Sequence, residues 1–195
     1  MPRLLFESEA PRVGGVMSVG TEERHAVGTQ RIAVIGNAGS GKTYLARHLS
    51  AIEGVPLLDL DMLFWLRPGD YTAKRPVDDV ARLIETERRK VAWVVEGVYG
   101  ELVEPFLASA QQLFWLDLPW VVCQERIAAR QLARGLAADT ESYAALVRYA
   151  AAYWQRDDGR SHTGHGRLFE AFAGEKHQFT AETSVSEFLR GHAPA

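Results

Sequence analysis

The sequence predicts a single three-layer α/β domain in which helices cover both faces of a five-stranded parallel sheet. Short apolar runs alternate with longer amphipathic stretches, which is the pattern of repeated β-α-β units. The apolar runs are continuous, as expected for strands that are buried on both faces. With 195 residues, 47% of them hydrophobic, the chain suits one domain with a substantial core.

The elements follow one another in a regular order after an irregular beginning. Residues 1–28 mix glycine, proline and charges without a sustained period, so they predict an N-terminal tail or extension before a domain at 29–195. The predicted strands span residues 31–36, 55–61, 91–97, 112–118 and 177–181. The predicted helices span residues 42–54, 77–90, 101–110, 120–135, 142–156, 167–174 and 184–191. Residues 157–166, "DDGRSHTGHG", are predicted to form a glycine-rich loop.

Composition excludes several classes of protein. The chain has 22 Lys and Arg against 25 Asp and Glu, so no net positive charge favours nucleic acid or a membrane surface. Its single cysteine, Cys123, excludes an internal disulfide framework and fits a reducing compartment. No apolar run approaches the roughly 20 residues of a membrane helix, and the N-terminus lacks the apolar core of a signal peptide. We therefore expect a cytoplasmic protein, present as a monomer or a homodimer.

The strongest motif follows the first predicted strand directly. It fits the pattern G-x-x-x-x-G-K-[ST] at every fixed position, and it reads Gly36-Asn37-Ala38-Gly39-Ser40-Gly41-Lys42-Thr43. Such a loop points backbone N–H groups at phosphate oxygens, and the helix after it adds its positive N-terminal end. Lys42 is expected to contact the β- and γ-phosphates, Thr43 to bind Mg²⁺, and Tyr44 to adjoin the nucleotide. The alternative is a ligand-free glycine-rich turn, but the strand-loop-helix context favours ATP and Mg²⁺.

Two carboxylates end the second predicted strand, in "LLDLDMLFW". Residues two apart on a strand share a face, so Asp59 and Asp61 are predicted to point the same way. One could then approach the metal while the other reaches a second substrate, with Mg²⁺ and Lys42 offsetting their repulsion. Two simpler alternatives stay open: Asp61 as the N-cap of a helix that begins at Met62, and Asp59 as a hydrogen-bonded strand end.

The third predicted strand also ends in an acid. Glu96 stands where such loop proteins keep the carboxylate that holds a Mg²⁺-bound water, and Asp117 on the fourth strand is its rival. The turn Gly97-Val-Tyr99-Gly favours Glu96, because it looks like a binding turn, whereas the residues after Asp117 open a helix. Gly97 and Tyr99 are accordingly predicted to contact the second substrate.

Arginines at intervals of four residues form one stripe on the helix at 120–135. Arg126 and Arg130 are the candidates to stabilise a phosphoryl group in transfer, with Arg134 continuing the stripe. A solvated basic face is the alternative. The polar break that follows suits a lid, which we place around residues 126–165.

Two other features, a pair of histidines and the tryptophans, give weaker indications of a ligand site. His162 and His165 have a metal-like spacing, but with no third ligand evident we do not expect zinc. The tryptophans could stack a base, although aromatic residues on strands and helices more often belong to the core.

Taken in order, the segments at 36–43, "LDLDMLFW", "VVEGVYG" and "WLDLPWVVCQERIAAR" resemble the bacterial topology-modulation-protein family. These proteins are similar to adenylate kinase and shikimate kinase, and the resemblance covers about residues 30–190. It implies a P-loop NTPase fold of the nucleoside-monophosphate-kinase type. It also implies that Asp59 belongs to the Mg²⁺ shell and that Asp61 binds or deprotonates the acceptor hydroxyl. Trp65 would help to select the acceptor.

The same resemblance implies that Arg126 and Arg130 belong to a lid helix and that the backbone around residues 181–184 meets adenine. The family usually has Asp where this chain has Glu96. The expected function is an ATP-binding, Mg²⁺-dependent phosphotransferase acting on a hydroxyl or phosphate of a small molecule. The alternative is a nucleotide-dependent regulatory or nucleic-acid-associated ATPase. A closed acidic pocket around Asp61 would favour the first, and an open basic groove the second.

Overall fold

The predicted central sheet is present, with five parallel strands. A computed structural model describes residues 29–67, 70–135 and 140–192, so the predicted tail at 1–28 lies outside the described residues. The strands, in chain order, are β1 Arg31–Gly36, β2 Leu57–Asp59, β3 Trp65–Arg67, β4 Asp70–Lys74, β5 Trp93–Gly97, β6 Gln112–Leu116 and β7 Glu175–Phe179. Five of them form the sheet in the order β2-β5-β1-β6-β7, and β3 pairs with β4 in a separate antiparallel hairpin.

Helices cover both faces of this sheet, which confirms the predicted fold class. In chain order they are α1 Lys42–Glu53, α2 Leu60–Phe64, α3 Val77–Arg88, α4 Gly100–Leu107, α5 Trp120–Ala133, α6 Glu141–Ala151, α7 His162–Ala171 and α8 Glu182–Gly191. A short 3₁₀ turn, Ala152–Trp154, continues α6. Within the described ranges, no helix has both the length and the apolar character that crossing a membrane requires.

The core is divided by the sheet into two clusters. On β1, Ile32 and Val34 point to one face and Ala33 and Ile35 to the other, as the alternation of side chains on a strand requires. The first pair packs with residues of α1 and α8, and the second with residues of α3, α4 and α7. All four are fully buried. This double burial explains why the strands are apolar throughout.

The second strand is shorter than predicted, and this corrects the argument that placed both aspartates on one strand face. The strand ends at Asp59, and α2 begins at Leu60. The Asp59 side chain caps this helix by accepting a hydrogen bond of 2.9 Å from the backbone N–H of Asp61. The N-cap is therefore Asp59, and Asp61 lies in the first helical turn, where the helix rather than the strand sets its direction.

The predicted loop at 157–166 is wrong in its second half, because α7 begins at His162. Ser161 caps the helix by accepting a hydrogen bond of 3.0 Å from the N–H of Gly164. A Cβ on Gly164 would lie 2.1 Å from the carbonyl oxygen of Asp158, so this glycine serves close packing rather than flexibility. Glycines that look like loop residues in the sequence therefore belong to a packed helix.

Two further elements differ from the prediction. The hairpin of β3 and β4 was not predicted, and the helix at 142–156 ends as α6 at Ala151 before the 3₁₀ turn. The remaining boundaries agree within a few residues. Gly135, predicted to end α5, has a positive φ of 65° just beyond the helix, which only glycine adopts without strain.

Candidate active site

The candidate site lies where the order of the strands reverses. Strand β1 is flanked by β5 on one side and β6 on the other; the chain runs from β1 to β2 on the side of β5, and from β5 across to β6 on the opposite side of β1. In open parallel sheets, ligands bind beyond the carboxyl ends of the strands at such a point. The glycine-rich loop, Asp59, Glu96 and Asp117 all stand at this edge of the sheet.

The loop between β1 and α1 has the shape of a phosphate-binding cradle. Gly36, Gly39 and Gly41 have φ values of 149°, 80° and 96°, in the region that favours glycine. A Cβ at Gly39 would lie 2.4 Å from the carbonyl oxygen of Cys123, and one at Gly36 would lie 2.6 Å from that of Leu116. Conformation and close packing therefore both require the glycines of the motif.

Two side chains fix the loop from within. Lys42 is 7% exposed, and its Nζ donates a hydrogen bond of 3.1 Å to the carbonyl oxygen of Asn37. The side-chain amide of Asn37 donates to the carbonyl oxygen of Ala150 in α6 at 2.9 Å, and its Oδ1 accepts from the N–H of Ala38 at 2.8 Å. The Oγ of Ser40 is buried and has no hydrogen-bond partner in the structure. A ligand bound in the loop would supply such a partner.

Thr43 and Glu96 meet beside the loop. The Thr43 hydroxyl donates to Oε1 of Glu96 across 2.5 Å, and Glu96 is 2% exposed. Burial raises the pKa of Glu96 above its ordinary value, and the charge of Lys42 opposes the rise. Asp59 is paired with Glu96 in the register of β2 and β5, so the two carboxylates end adjacent strands.

These oxygen atoms fit Mg²⁺, which prefers hydroxyl and carboxylate ligands and keeps several waters or phosphate oxygens. The described part of the chain holds no cluster of three or more His, Cys, Asp or Glu that could bind a metal by itself. A magnesium ion here would therefore depend on the oxygens of Thr43 and Glu96 together with phosphates and water.

Asp117, the rival acid, is engaged elsewhere. Its Oδ1 lies 3.1 Å from Nε2 of His162, and its Oδ2 accepts a hydrogen bond of 3.0 Å from the Gln178 amide. Of the two acids, Glu96 is the one that contacts Thr43 of the loop. The geometry thus favours Glu96 as the acid beside the phosphate loop.

Asp61 is the most unusual carboxylate of the site. Its pKa is raised to about 6: burial is the largest cause, the charges of Asp59 and Glu96 add to the rise, and those of Lys42 and Arg130 oppose it. Its Oδ1 is buried and has no hydrogen-bond partner. A buried carboxylate oxygen without a partner is costly, so a ligand that donates a hydrogen bond here would relieve the cost.

Aromatic residues form a wall next to Asp61. The rings of Phe64 and Tyr99 stack with centroids 4.4 Å apart, and Phe64 meets Trp65 edge to face at 5.0 Å. Burial and the nearby charge of Asp61 both raise the pKa of Tyr99. The predicted acceptor residues Asp61, Trp65 and Tyr99 are thus brought together by α2, β3 and the turn after β5.

Gly97 has a different explanation from the one its position in the sequence suggested. A Cβ on this residue would lie 3.0 Å from the Cβ of Leu60, so the space beside it is filled by α2. Packing against α2 accounts for the glycine, and its contact with an acceptor stays a prediction.

Sequence reasoning missed one residue of this wall, Arg160. Its guanidinium lies 4.4 Å from the ring centroid of Tyr99 and 5.1 Å from that of Phe64, and its Nε donates to Glu101 at 2.6 Å. Arg160 precedes α7 and is far from Tyr99 in the chain. No local spacing could have revealed this contact.

The two candidate arginines of α5 lie in different surroundings. Arg126 donates to the carbonyl oxygen of Ser40 at 2.6 Å and pairs with Glu182 at 2.6 Å, whereas Arg130 is exposed and within electrostatic reach of Asp61. Arg126 borders a cavity of about 400 Å³, whose other lining residues are Ser40, Gly41, Tyr44, Leu116, Glu182, Val185 and Ser186. This cavity adjoins the residues 181–184 that the resemblance assigns to adenine. The lid predicted around 126–165 stays a prediction, and its residues 136–139 lie outside the described residues.

The histidine pair does not form a metal site. His165 is fully buried, with Nδ1 2.8 Å from the Tyr153 hydroxyl and Nε2 3.1 Å from the carbonyl oxygen of Val98. His162 contacts Asp117 instead.

The strand order and the loop define the fold class: a five-stranded parallel sheet is covered by helices on both faces, and a glycine-rich loop of the phosphate-binding type joins β1 to α1. No protein-family model matches the chain, and no curated protein matches it.

Several solved kinase structures are similar in shape. A gluconokinase from Sinorhizobium meliloti is 17% identical, with 84% of this chain and 89% of that chain covered and a TM-score of 0.49. A shikimate kinase from Acinetobacter baumannii, in complex with shikimate, is 18% identical, with 82% and 88% covered and a TM-score of 0.49. A sugar kinase from Janibacter is 10% identical, with 84% and 91% covered and a TM-score of 0.45. The fold class rests on strand order and loop geometry, and the topology-modulation resemblance stays a prediction.

Proposed function

We propose that this protein is a Mg²⁺-dependent phosphotransferase that moves the γ-phosphoryl group of ATP to a hydroxyl group of a small molecule. The observation that carries the proposal is the Asp61 carboxylate, which is buried and unpartnered at Oδ1 beside the phosphate loop. A P-loop binds phosphate in proteins of many activities, but an additional carboxylate of this kind needs a second ligand to explain it.

The residues of the phosphate loop bind and orient the nucleotide. Backbone N–H groups of the loop and the N-terminus of α1 face the phosphates, and Lys42 exchanges its contact with Asn37 for the β- and γ-phosphate oxygens. Thr43 and Glu96 would hold Mg²⁺, with Asp59 next to Glu96 at the end of the adjacent strand. The ion would supply positive charge that offsets the charge on the transferring group. The cavity beside Arg126 and Tyr44 accommodates the base.

Asp61 binds the acceptor on the other side. Its raised pKa, about 6, leaves it mainly ionised at neutral pH and closer to that pH than an ordinary aspartate, which suits an acid-base group. Its carboxylate would accept the hydroxyl proton while Lys42 and Arg130 stabilise the charge of the transferring group. An anionic Asp61 attracts an O–H donor and repels a phosphate, so a hydroxyl is the better acceptor. Trp65 and Tyr99 line this half and contribute to selection.

The surroundings of Asp61 also favour this function over a nucleotide-driven regulatory or nucleic-acid-associated protein. Asp59, Asp61 and Glu96 make the space opposite the loop acidic, and the stacked rings of Phe64 and Tyr99 lie next to it. A polynucleotide would instead require an open basic groove. Acidic and aromatic side chains around Asp61 therefore suit a small acceptor better than a polynucleotide.

A screen of acceptors tests the proposal. ATP consumption is measured with Mg²⁺ against a panel of nucleosides, nucleotides, sugars, polyols and the ends of RNA and DNA. With the acceptor found, Asp61→Asn is expected to lower the transfer rate by about 10²–10⁴-fold while ATP affinity changes less than about twofold. Asp79→Asn, on the exposed start of α3, is the matched control and should transfer normally. Unchanged turnover of Asp61→Asn would rule out the role of Asp61, and phosphorylation of polynucleotide ends alone would contradict the small-molecule assignment.

A further inference from the structure

Trp115, Tyr153 and His165 form a buried hydrogen-bonded chain, which we call the Trp–Tyr–His relay. The indole N–H of Trp115 lies 3.2 Å from the Tyr153 hydroxyl, which lies 2.8 Å from Nδ1 of His165. Nε2 of His165 lies 3.1 Å from the carbonyl oxygen of Val98. Tyr153 and His165 are fully buried, and Trp115 is 4% exposed. The proposed reaction uses none of the three.

The chemistry of the groups fixes the direction of every bond. A carbonyl oxygen only accepts, so Nε2 of His165 carries the proton and donates to Val98. Burial lowers the pKa of His165 to about 3, so the ring is neutral and its Nδ1 accepts from the Tyr153 hydroxyl. The Tyr153 oxygen in turn accepts from the indole N–H of Trp115. Every polar atom of the relay is satisfied, and a satisfied buried network of this kind specifies one arrangement of the elements it joins.

The relay ends on the turn that carries Tyr99. Val98 lies between Gly97, packed on α2, and Tyr99, which forms the wall beside Asp61. The next residue, Gly100, donates its N–H to the carbonyl oxygen of Gly159 at 3.0 Å, and a Cβ on Gly100 would lie 2.1 Å from that oxygen. Residues 159–165 therefore hold the turn at Val98 and again at Gly100.

The segment that provides Tyr153 also holds the phosphate loop. The carbonyl oxygen of Ala150, in the last turn of α6, accepts the hydrogen bond from the Asn37 side chain. Ala150 is buried, and the chain continues without a break from α6 into the 3₁₀ turn that contains Tyr153. One continuous stretch of helix thus contacts the nucleotide loop at one position and, through Tyr153 and His165, the acceptor turn at another.

We propose that Tyr153 and His165 are positioning residues that set the distance between the phosphate loop and the acceptor turn. The inference rests on the proposed function only where it assigns Tyr99 to the acceptor side. Neither residue touches the reacting atoms: His165 fixes the backbone at Val98, and Tyr153 fixes the tautomer of His165 and ties it to the segment that holds Asn37. Because the relay is neutral across the usual assay range, its action does not depend on pH.

Tyr153→Phe removes only the hydroxyl and tests the proposal directly. It leaves Nδ1 of His165 and the indole N–H of Trp115 without partners, so the ring of His165 is no longer held in one tautomer. In the full-length protein, hydrogen exchange of the amides at residues 98–101 should accelerate by about tenfold more than exchange in α1, which contains none of the three relay residues. Nitrogen NMR of the wild-type protein should show His165 protonated at Nε2 throughout pH 5–9.

A core variant provides the matched control for lost packing. Phe172→Leu, just after the end of α7, removes buried apolar volume but no hydrogen-bonding group of the relay. It should accelerate exchange across α7 and the core together, without a specific effect at 98–101. His165→Gln, whose amide can donate to Val98, should retain part of the protection that Tyr153→Phe loses, which distinguishes the hydrogen bond from the shape of the ring.

Kinetics give a second readout once the acceptor is known. Tyr153→Phe should raise the KM for the acceptor by about tenfold and leave the KM for ATP within about twofold, because the phosphate loop keeps its own bonds. A uniform change in exchange that matches Phe172→Leu would overturn the proposal, and so would normal protection at 98–101 in Tyr153→Phe. The exchange result decides the matter even if the acceptor screen finds no substrate, so failure of the proposed function and failure of this inference are distinguishable.

Discussion

The nucleotide half and the acceptor half of the candidate site are built in different ways. The nucleotide half is mostly backbone, shaped by glycines, and its charged side chains have partners: Lys42 contacts Asn37, and Thr43 contacts Glu96. The acceptor half consists of side chains from α2, β3 and the turn after β5. There the key carboxylate, Asp61, has an oxygen without a partner.

This difference indicates that the acceptor half determines substrate specificity. A backbone cradle contacts phosphate, a group common to all nucleotides, so one short motif is enough to build it. An acceptor is recognised by side chains whose arrangement depends on distant parts of the chain, such as Arg160 against Tyr99. If this contrast is correct, substitutions in the two halves should alter different kinetic constants.

Within the nucleotide half, replacement of Lys42 should have the largest effect. Lys42→Ala removes the buried cation of the loop, and the transfer rate should fall by about 10²–10³-fold, with weaker ATP binding measured by calorimetry. Lys90→Ala, which removes an exposed lysine paired with Glu87, is the control and should leave both quantities unchanged. Normal transfer by Lys42→Ala would break the assignment of the nucleotide half.

Substitution of Glu96 tests which of two acids, Glu96 or Asp117, supports the binding of Mg²⁺. Glu96→Gln removes the carboxylate that contacts Thr43, so the Mg²⁺ concentration needed for half-maximal activity should rise by about 10–100-fold. Asp117→Asn should leave this requirement unchanged, because Asp117 contacts His162 and Gln178 instead. A titration of activity with Mg²⁺ measures both variants. A larger shift in Asp117→Asn would reverse the assignment.

The sequence predicts the loop between β1 and α1 well because its determinants are local. Residues 36–43 are contiguous, and the flanking strand and helix have clear periodicity, so motif and context agree. The sheet is predictable for a related reason: doubly buried strands are apolar throughout. The structure adds the register that places Asp59 next to Glu96.

The acceptor half is predicted only in part because local patterns compete there. Asp59 and Asp61 look like alternating strand residues, but capping by Asp59 starts a helix two residues earlier than the strand pattern implies. Gly164 of α7 looks like a loop residue, although it packs tightly against the Asp158 carbonyl within a helix. Capping settles the first conflict and tertiary packing the second, and packing has no signature in a short window of sequence.

The raised pKa of Asp61 should also make the free energy of unfolding depend on pH. Its pKa in the folded protein, about 6, exceeds the ordinary value of 3.8, so the folded state holds the proton to higher pH and loses stability as pH rises through this interval. Asp61→Asn should therefore stabilise the protein by about 1–3 kcal/mol at pH 8 and by much less near pH 4. Urea unfolding at the two pH values measures the difference, with Asp78→Asn, at an exposed position in the first turn of α3, as the control. Destabilisation at pH 8 would contradict the unfavourable burial of Asp61.

The smallest effect is expected at Arg126. Its replacement tests whether this arginine acts on the base end of the nucleotide half or on the acceptor half. Arg126 bridges Ser40 and Glu182, but its side chain is 38% exposed and that of Glu182 51% exposed, so solvent screens the pair. Arg126→Gln should raise the KM for ATP by about two- to fivefold and leave the KM for the acceptor unchanged. Arg134→Gln, beyond the end of the same helix and exposed, is the control. A selective rise in the acceptor KM of Arg126→Gln would instead place this arginine with Arg130, on the side of the transferring group.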